Sequence, residues 1–121
     1  MRVPLAFAAL LALAGCSGPD TLVVSGTAVD DAFECALAEA TALRYTVVDV
    51  EDGVFVRAHQ PKRFRFGRGD NEFDVLTASV ARGRLTVTAT GEEHREGGTV
   101  AIDPSGAAEE EAAAVLAACT R

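Results

Sequence analysis

His94 and the acidic residues near it are side chains that could hold a metal ion. His94 lies near Glu92, Glu93 and Glu96, and imidazole and carboxylate groups are common ligands of divalent cations. The segment carries glycines and lacks the ligand spacing typical of zinc sites, so we predict a solvated loop with no bound metal or other cofactor. His59 is expected to be a single exposed histidine on a hairpin.

Acidic side chains also cluster at Asp49, Glu51 and Asp52, where paired carboxyl groups could support acid–base chemistry. That chemistry requires a carboxyl group shielded from water, which the end of a predicted hairpin rarely provides. The motifs of serine hydrolases, phosphate-binding loops and zinc peptidases do not occur in the sequence. We therefore predict a protein that is not an enzyme.

Basic residues form a cluster in an otherwise acidic chain, and two phenylalanines alternate with them as on a strand with one apolar side. Such a segment could contact lipid head groups, anionic glycans or an acidic protein surface. The interpretation that we favour is an edge strand whose charges prevent aggregation. The basic residues are Arg57, Lys62, Arg63, Arg65 and Arg68, and the phenylalanines are Phe64 and Phe66.

The first sixteen residues have the organisation of an export signal. Arg2 is followed by an apolar run, Val3 to Ala14, that is too short to span a bilayer as a helix. Leu13-Ala14-Gly15-Cys16 resembles the lipobox of bacterial lipoproteins, in which the cysteine becomes the lipidated N-terminus. This resemblance implies that residues 1–15 are a signal peptide and that Cys16 carries a diacylglycerol group and an acyl chain.

The lipid implied by this resemblance also indicates a compartment. Two or three acyl chains hold a small domain on a membrane, whereas one chain binds only marginally. Ser17 follows the cysteine, which in families with an outer-membrane sorting rule directs the protein to the outer membrane. We expect a cell-envelope protein on the periplasmic face of the outer membrane, with residues 16–21 as a lipidated tether and residues 22–121 as a single domain.

Two cysteines remain once Cys16 is assigned to the lipid. Cys35 and Cys119 then allow one pairing, and export would place them in an oxidising compartment. A redox-active pair normally has a Cys-x-x-Cys spacing, which this sequence lacks. We predict a structural disulfide between Cys35 and Cys119.

Composition excludes several other classes of protein. The chain has 121 residues, 49% of them hydrophobic, which suits one small folded domain. Its formal net charge of −7 argues against a general nucleic-acid binder, which needs a basic face. No nucleic-acid partner is expected.

The apolar periodicity predicts the elements that position these residues. Leu22 to Gly26 can form a strand, and Thr27 resembles the hydroxyl cap of a helix whose apolar residues recur from Val29 to Leu43. Thr99 to Ile102 is a short strand, and Ala107 to Ala118 is a final helix. Between them the pattern predicts two hairpins.

The first predicted hairpin has a three-residue loop, Glu51-Asp52-Gly53, with Gly53 in the left-handed conformation. This loop places Thr46, Val48 and Val50 on one apolar face, opposite Ala58, Val56 and Val54. Tyr45, Val47, Phe55 and Arg57 then lie on the other face. Pro61 interrupts the strand and indicates an edge or a bulge.

The second predicted hairpin turns at Arg82-Gly83. A two-residue loop there pairs the apolar residues of both strands on one face, Leu76, Ala78 and Val80 with Ala89, Val87 and Leu85. The order of elements is strand, helix, about five further strands, helix. Such an order buries its apolar faces when two helices pack on one face of an antiparallel sheet of about five to six strands, an α+β two-layer sandwich.

The segment from the first helix into the first hairpin resembles a known family. Ala40 to Asp49, followed by Asp52 to Arg57, is similar to repeats of small bacterial envelope lipoproteins. The pattern it resembles is the helix-grip domain of the C lipoprotein of the outer-membrane β-barrel assembly machine. This resemblance implies a helix-grip fold and a non-enzymatic accessory role, with no catalytic residues to carry over.

These observations lead us to expect a lipid-anchored envelope protein that acts as an interaction or accessory module, with another envelope protein as its partner. Half-apolar exposed faces often mark such contacts. The candidate contact residues are Tyr45, Val47, Phe55 and Val75 on the open sheet face, with Arg57, Arg63 and Arg65 of the basic segment. The alternative is a module that encloses a small apolar ligand or lipid between its helices and its sheet.

Overall fold

A computed structural model describes the backbone of residues 18–64 and 67–121 and the side chains of residues 18–63 and 71–121. Its elements are β1 (Leu22–Thr27), α1 (Ala32–Ala42), β2 (Thr46–Glu51), β3 (Phe55–Phe64), β4 (Gly67–Ala81), β5 (Arg84–Arg95), β6 (Gly98–Ile102) and α2 (Gly106–Cys119). The predicted signal peptide 1–15, Cys16 and Arg65 lie outside the described residues. Within the described ranges, no helix is long and apolar enough to cross a membrane.

The strands form one six-stranded antiparallel sheet in the order β1-β5-β4-β3-β2, and β6 also pairs with β5. β5 is long enough to have two neighbours on one side. Its first half pairs with β1, and Gly91 to Arg95 pair with β6. Gly91 is required at this junction, because a Cβ atom there would lie 2.5 Å from the backbone oxygen of Asp103.

Both helices pack on the same face of the sheet, and the core lies between the two layers. The helices contribute small residues that allow close packing, and the central strands contribute branched ones. The core includes Phe33, Ala36 and Ala40 of α1, Ala108, Ala112 and Val115 of α2, and Val56, Ala58, Leu76, Ala78, Leu85, Val87 and Ala89 of the sheet. The predicted α+β fold, with two helices on one face of an antiparallel sheet, is confirmed.

The β4–β5 hairpin has the predicted register. Leu76, Ala78 and Val80 pair with Ala89, Val87 and Leu85. Arg82 and Gly83 have positive φ angles of 52° and 75°, the conformation that a two-residue turn of type I′ requires. The turn therefore sets the register that buries the apolar face of both strands.

The β2–β3 hairpin departs from its predicted register. Glu51 pairs with Phe55 and Val50 with Val56, so the loop is Asp52 to Val54, and Gly53 has the expected positive φ. A register shift between Val47 and Asp49 places Val48 in a β-bulge. Because a bulge adds one residue to one strand, the residues before it exchange faces. The prediction that Val48 faces the core opposite Val56 is wrong.

The strand β3 continues through Pro61 to Phe64. A register shift between Pro61 and Arg63 marks an irregularity in its pairing with β4. Both alternatives for Pro61 are observed. The pairing of β2 with β3 ends at His59, so Pro61 has a described strand, β4, on one side only, and the register shift follows it directly. The predicted interruption of the strand at Pro61 is wrong.

The two helices begin differently. α1 begins after Asp31, which makes no side-chain cap hydrogen bond. The predicted start at Thr27 is wrong because Thr27 pairs with Arg84 as the last residue of β1. α2 begins after Ser105, whose Oγ accepts a hydrogen bond of 3.1 Å from the backbone N–H of Ala108.

A disulfide distance separates the two cysteines that the structure describes. The sulfur atoms of Cys35 and Cys119 are 2.04 Å apart, and their Cα atoms are 5.7 Å apart. Cys35 lies in α1, and Cys119 is the last residue of α2. The bond joins the two helices on the covered face of the sheet.

Candidate functional site on the open sheet face

The sheet face opposite the helices carries an open groove of about 500 Å³. Pairing places the odd-numbered residues Phe55, Arg57 and His59 of β3 on this face, since they lie beside Ser79, Thr77 and Val75 of β4. The bulge in β2 brings Val48 to the same groove. Its lining residues are Val48, Arg57, His59, Glu92, His94 and Thr99.

Phe73 of β4 holds both histidines of the chain in place. Its ring stacks on that of His59 with centroids 4.6 Å apart and on that of His94 with centroids 4.4 Å apart. Phe73 pairs directly with Glu92, and His94 lies two residues farther along β5 on the same face. One aromatic side chain therefore orients imidazoles from two different strands.

Glu92 connects the polar groups of the groove. Its Oε1 accepts a hydrogen bond of 2.9 Å from Nε2 of His94, and its Oε2 forms an ion pair with Arg57. Burial raises the pKa of the Glu92 carboxyl, but the hydrogen bond from His94 and the charge of Arg57 outweigh it and hold the pKa below its usual value. Glu92 is therefore ionised at neutral pH.

His59 is a neutral imidazole with an unused polar atom. Burial lowers the pKa of its ring below the usual 6.5, and the charge of Glu92 only partly opposes this shift. Its Nδ1 atom is buried and has no hydrogen-bond partner among the described residues. Buried polar atoms are seldom left without a partner, so this atom marks a site that a ligand could satisfy.

The groove offers a set of metal-binding atoms. One ligand atom from each of His59, Glu92 and His94 lies within 4.8 Å of the other two. Two imidazoles and one carboxylate are a donor set that suits zinc and related transition metals. The prediction that His94 lies in a solvated loop is wrong, because β5 extends to Arg95 and places His94 within the sheet.

Tyr45 and Arg63 lie in a different place, in a network on the helix face of the sheet. Tyr45 is 4% exposed, and its hydroxyl donates a hydrogen bond of 2.8 Å to Glu111 of α2. Arg63 donates to both carboxylate oxygens of Glu111, at 2.8 and 2.6 Å, and to Asp74 at 3.3 Å. This network fastens α2 to β3 and β4.

The electrostatics of this network follow from its partial burial. Burial, and then the hydrogen bond to Glu111, raise the pKa of the Tyr45 hydroxyl well above its usual 10.0. The hydrogen bond with Glu111 raises the pKa of the Arg63 guanidinium, although burial opposes the shift. For Glu111, burial raises the pKa, but hydrogen bonds from Arg63 and Tyr45 outweigh it and hold the pKa below the usual value. At neutral pH the Tyr45 hydroxyl is therefore uncharged, the Arg63 guanidinium is positive and the Glu111 carboxylate is negative.

The predicted contact surface is therefore divided. Placing Tyr45 on the open face is wrong, because the bulge at Val48 exchanges the faces of the residues before it and turns Tyr45 toward the helices. Val47 also lies on the helix side, where it remains 37% exposed at the sheet edge. Val75 is on the open face but is 1% exposed, between His59 and Thr90.

The basic cluster does not form one surface either. Arg57 pairs with Glu92 on the open face, whereas Arg63 pairs with Glu111 and Asp74 on the helix face. Lys62 donates a hydrogen bond to the backbone oxygen of Asp103. Of the residues predicted for contact, Phe55 and Arg57 lie on the open face as expected.

Two signals in the sequence pointed to the groove. Glu92 and His94 alternate, so they share a face if the segment is a strand. Arg57 and His59 also alternate, so they too share a face of their strand. Recognising both would have required treating the glycine-containing segment from Gly91 to Gly98 as strand and turn instead of as one loop.

Comparisons with known proteins do not extend these observations. No protein-family model matches the chain, and no curated protein sequence matches it either.

Proposed function

We propose that the protein is a lipid-anchored, non-enzymatic interaction module of the cell envelope that binds a partner protein along the edge strand β2. The observation that supports this proposal is the exposure of the whole strand. All six residues of β2 are exposed, and they include Val47, Val48 and Val50. With Val54 in the adjoining turn, four valines within one short segment are 37–52% exposed. Apolar exposure concentrated in this way is typical of a contact surface.

The backbone of β2 favours a partner that adds a strand. β2 pairs with β3 on one side, and on its other side no described strand pairs with it. An edge strand with unpaired N–H and C=O groups can take up an extended segment of another protein, with pockets between its side chains providing specificity. We infer that the partner contributes such a segment beside Val50.

The acidic residues along β2 indicate which kind of partner segment can bind there. Asp49, Glu51 and Asp52 lie along the same edge as the valines, and all are exposed. Two copies of this edge would place like charges against each other, which disfavours self-association. The complementary partner is a segment that alternates apolar and basic residues.

The proposed anchor limits how far this edge lies from the membrane. Lipidation at Cys16 is supported by the lipobox-like residues Leu13 to Cys16. The stretch from Cys16 to the start of β1 at Leu22 spans at most about 20 Å when fully extended. A domain on so short a tether meets partners at the membrane surface, in keeping with the accessory role that the resemblance to the C lipoprotein implies.

The alternative of an apolar ligand held between helices and sheet has no specific observation in its favour. The residues that meet there, such as Leu85, Ala89 and Ala112, are fully buried against each other. The groove of about 500 Å³ lies on the opposite face.

Site-specific photo-crosslinking in cells that express the full chain tests the contact surface. A photoreactive residue at Val50 should give a discrete adduct, whereas one at Val23, a valine 59% exposed on β1 at the opposite edge, should not. The substitution Val48→Asp should abolish the Val50 adduct, because it places a charge where a valine would contact an apolar residue of the partner. The same adduct pattern from both positions, or an adduct that persists in the Val48→Asp variant, would count against the proposed surface.

Metabolic labelling with a radioactive fatty acid tests the anchor separately. Label should enter the wild-type chain and be absent from a Cys16→Ala variant. Ser17→Ala is the matched control and should retain the label. Label that survives in the Cys16→Ala variant, or none in the wild type, refutes lipidation at this residue.

A further inference from the structure

We propose that His59, Glu92 and His94 bind one divalent transition-metal ion, and that Zn²⁺ is the ion this donor set fits best. The two histidines are the only ones in the chain, and the sheet brings both into one groove from β3 and β5. Zinc sites with two histidines and one carboxylate hold the ion with three protein ligands and leave a further position for an exchangeable ligand. Val48 of β2 lines the same groove, but none of the three ligands belongs to β2, and the site has its own test.

The three ligand atoms need to move only slightly closer together to bind one ion. The three ligand atoms lie within 4.8 Å of each other, whereas tetrahedral zinc with bonds near 2.0–2.2 Å holds its ligands about 3.3 Å apart. Nε2 of His94 and Oε1 of Glu92 are already 2.9 Å apart. The side chain of His94 is 41% exposed and that of Glu92 13%. A small shift of the His94 ring within its own plane can therefore open a place for the ion and keep the ring stacked on Phe73.

Two neighbouring side chains, Phe73 and Arg57, hold the three ligands in fixed orientations, as the outer residues of metal sites do. Phe73 stacks on both imidazole rings, which restricts their orientation. Arg57 holds the second oxygen of Glu92 and leaves the first directed toward His94. Outer partners of this kind orient ligands and contribute to affinity. The buried Nδ1 atom of His59 lacks a hydrogen-bond partner among the described residues, so this ring has a nitrogen that no protein group uses.

The charge of Arg57 determines which ions can bind. Its guanidinium neutralises Glu92, so the cluster offers a cation little net negative charge. Calcium and magnesium depend on several oxygen ligands and would find one carboxylate here. Affinity must come from the two imidazoles, which favour zinc and its neighbours. The ion would connect β3 to β5 across β4, and its remaining position would face the groove beside Thr99.

Calorimetric titration with Zn²⁺ tests the site on the full chain, purified in detergent without a histidine tag and freed of metal with a chelator. One equivalent should bind per chain, and the imidazole NMR signals of His59 and His94 should shift together and stop shifting at that equivalent. Ca²⁺ should give no binding. Glu92→Gln should weaken zinc binding at least about tenfold, and the double variant His59→Gln/His94→Gln should abolish it.

Glu93→Gln is the matched control, since Glu93 neighbours Glu92 in sequence but points to the other face and pairs with Arg95. It should bind zinc as the wild type does. Circular dichroism shows whether each variant is folded. A wild-type Kd above about 1 mM, a shift in only one imidazole, or equal binding by the wild type and the double variant would overturn the proposal.

Discussion

The carboxylate of Asp74 shows how single residues hold this fold together. It is fully buried, and it accepts hydrogen bonds from the backbone N–H and the hydroxyl of Ser105 at 2.8 and 2.7 Å. Ser105 in turn caps α2, and Arg63 connects Asp74 to Glu111 one turn into the same helix. This buried carboxyl group is tolerated because both of its oxygens accept hydrogen bonds. The start of α2 is therefore fixed to β4 by polar contacts and not by apolar packing alone.

The Glu111 carboxylate predicts a pH dependence of stability. Its pKa in the folded state lies below the usual 4.5, so its contribution is complete above pH 4.5 and is lost as the pH falls through the folded-state pKa. Glu111→Gln should lower the free energy of unfolding at pH 7 by about 1–2 kcal/mol. The difference from wild type should shrink as the pH falls below 4.5, because the depressed pKa places the loss there. Urea unfolding at each pH measures it.

Glu110→Gln is the control for that series, because Glu110 is the exposed neighbour of Glu111 on α2. It should change stability by no more than about 0.5 kcal/mol at any pH in the range. If the two variants behave alike, the network around Glu111 contributes nothing to pH-dependent stability.

At the scale of elements, the register of a hairpin could be predicted where the residues of its turn and strands specify it. The β4–β5 hairpin was predictable because Arg82-Gly83 permits a tight turn and apolar residues alternate on both strands. The β2–β3 hairpin was not, because a bulge at Val48 leaves no signature among three nearby valines. That one inserted residue moved Tyr45 from the predicted open face into the core.

At Gly91, where β5 changes its neighbour from β1 to β6, we expect the addition of one methyl group to destabilise the protein. Gly91→Ala would place a Cβ atom 2.5 Å from the backbone oxygen of Asp103 and 2.8 Å from that of Ile102. Because neither is the end of a flexible side chain, we expect a loss of about 2 kcal/mol, measured by thermal or urea unfolding. Gly106→Ala is the control, since nothing lies within 4 Å of the added atom, and it should stay within about 0.5 kcal/mol of wild type. Equal stability of the two variants would mean that the backbone after β6 moves aside readily.

For the whole molecule, the sequence predicted the layers but not the groove. Apolar periodicity predicted two helices over one face of an antiparallel sheet, because burial of apolar area drives that arrangement in any small α+β chain. The cluster of His59, Glu92 and His94 depends instead on the register of β3, β4 and β5 together, and on β5 extending past Gly91. Neither the register of these strands nor the extension of β5 can be predicted from the spacing of residues in the sequence.

The Cys35–Cys119 bond predicts a large contribution to global stability. It connects residues separated by 84 positions, and the chain-entropy model assigns roughly 4–5 kcal/mol to a loop of that size. Reduction of the wild type, or the double substitution Cys35→Ala/Cys119→Ala, should lower the free energy of unfolding by about that amount in urea. Cys16→Ser keeps the pair and should leave the midpoint unchanged. An unaltered midpoint after complete reduction would show that the bond adds no stability.

The position of the same bond also determines where a protease could shed the domain from its proposed anchor. A single cut anywhere between Cys35 and Cys119 leaves two fragments that are still covalently joined, and both stay attached to the lipid. One cut releases the domain only if it falls between Cys16 and Cys35. In that interval two exposed segments lie outside the helices and strands: the stretch 18–21 before the first strand, and Asp30 and Asp31 before α1. A cut in the first of them releases the domain with all its strands.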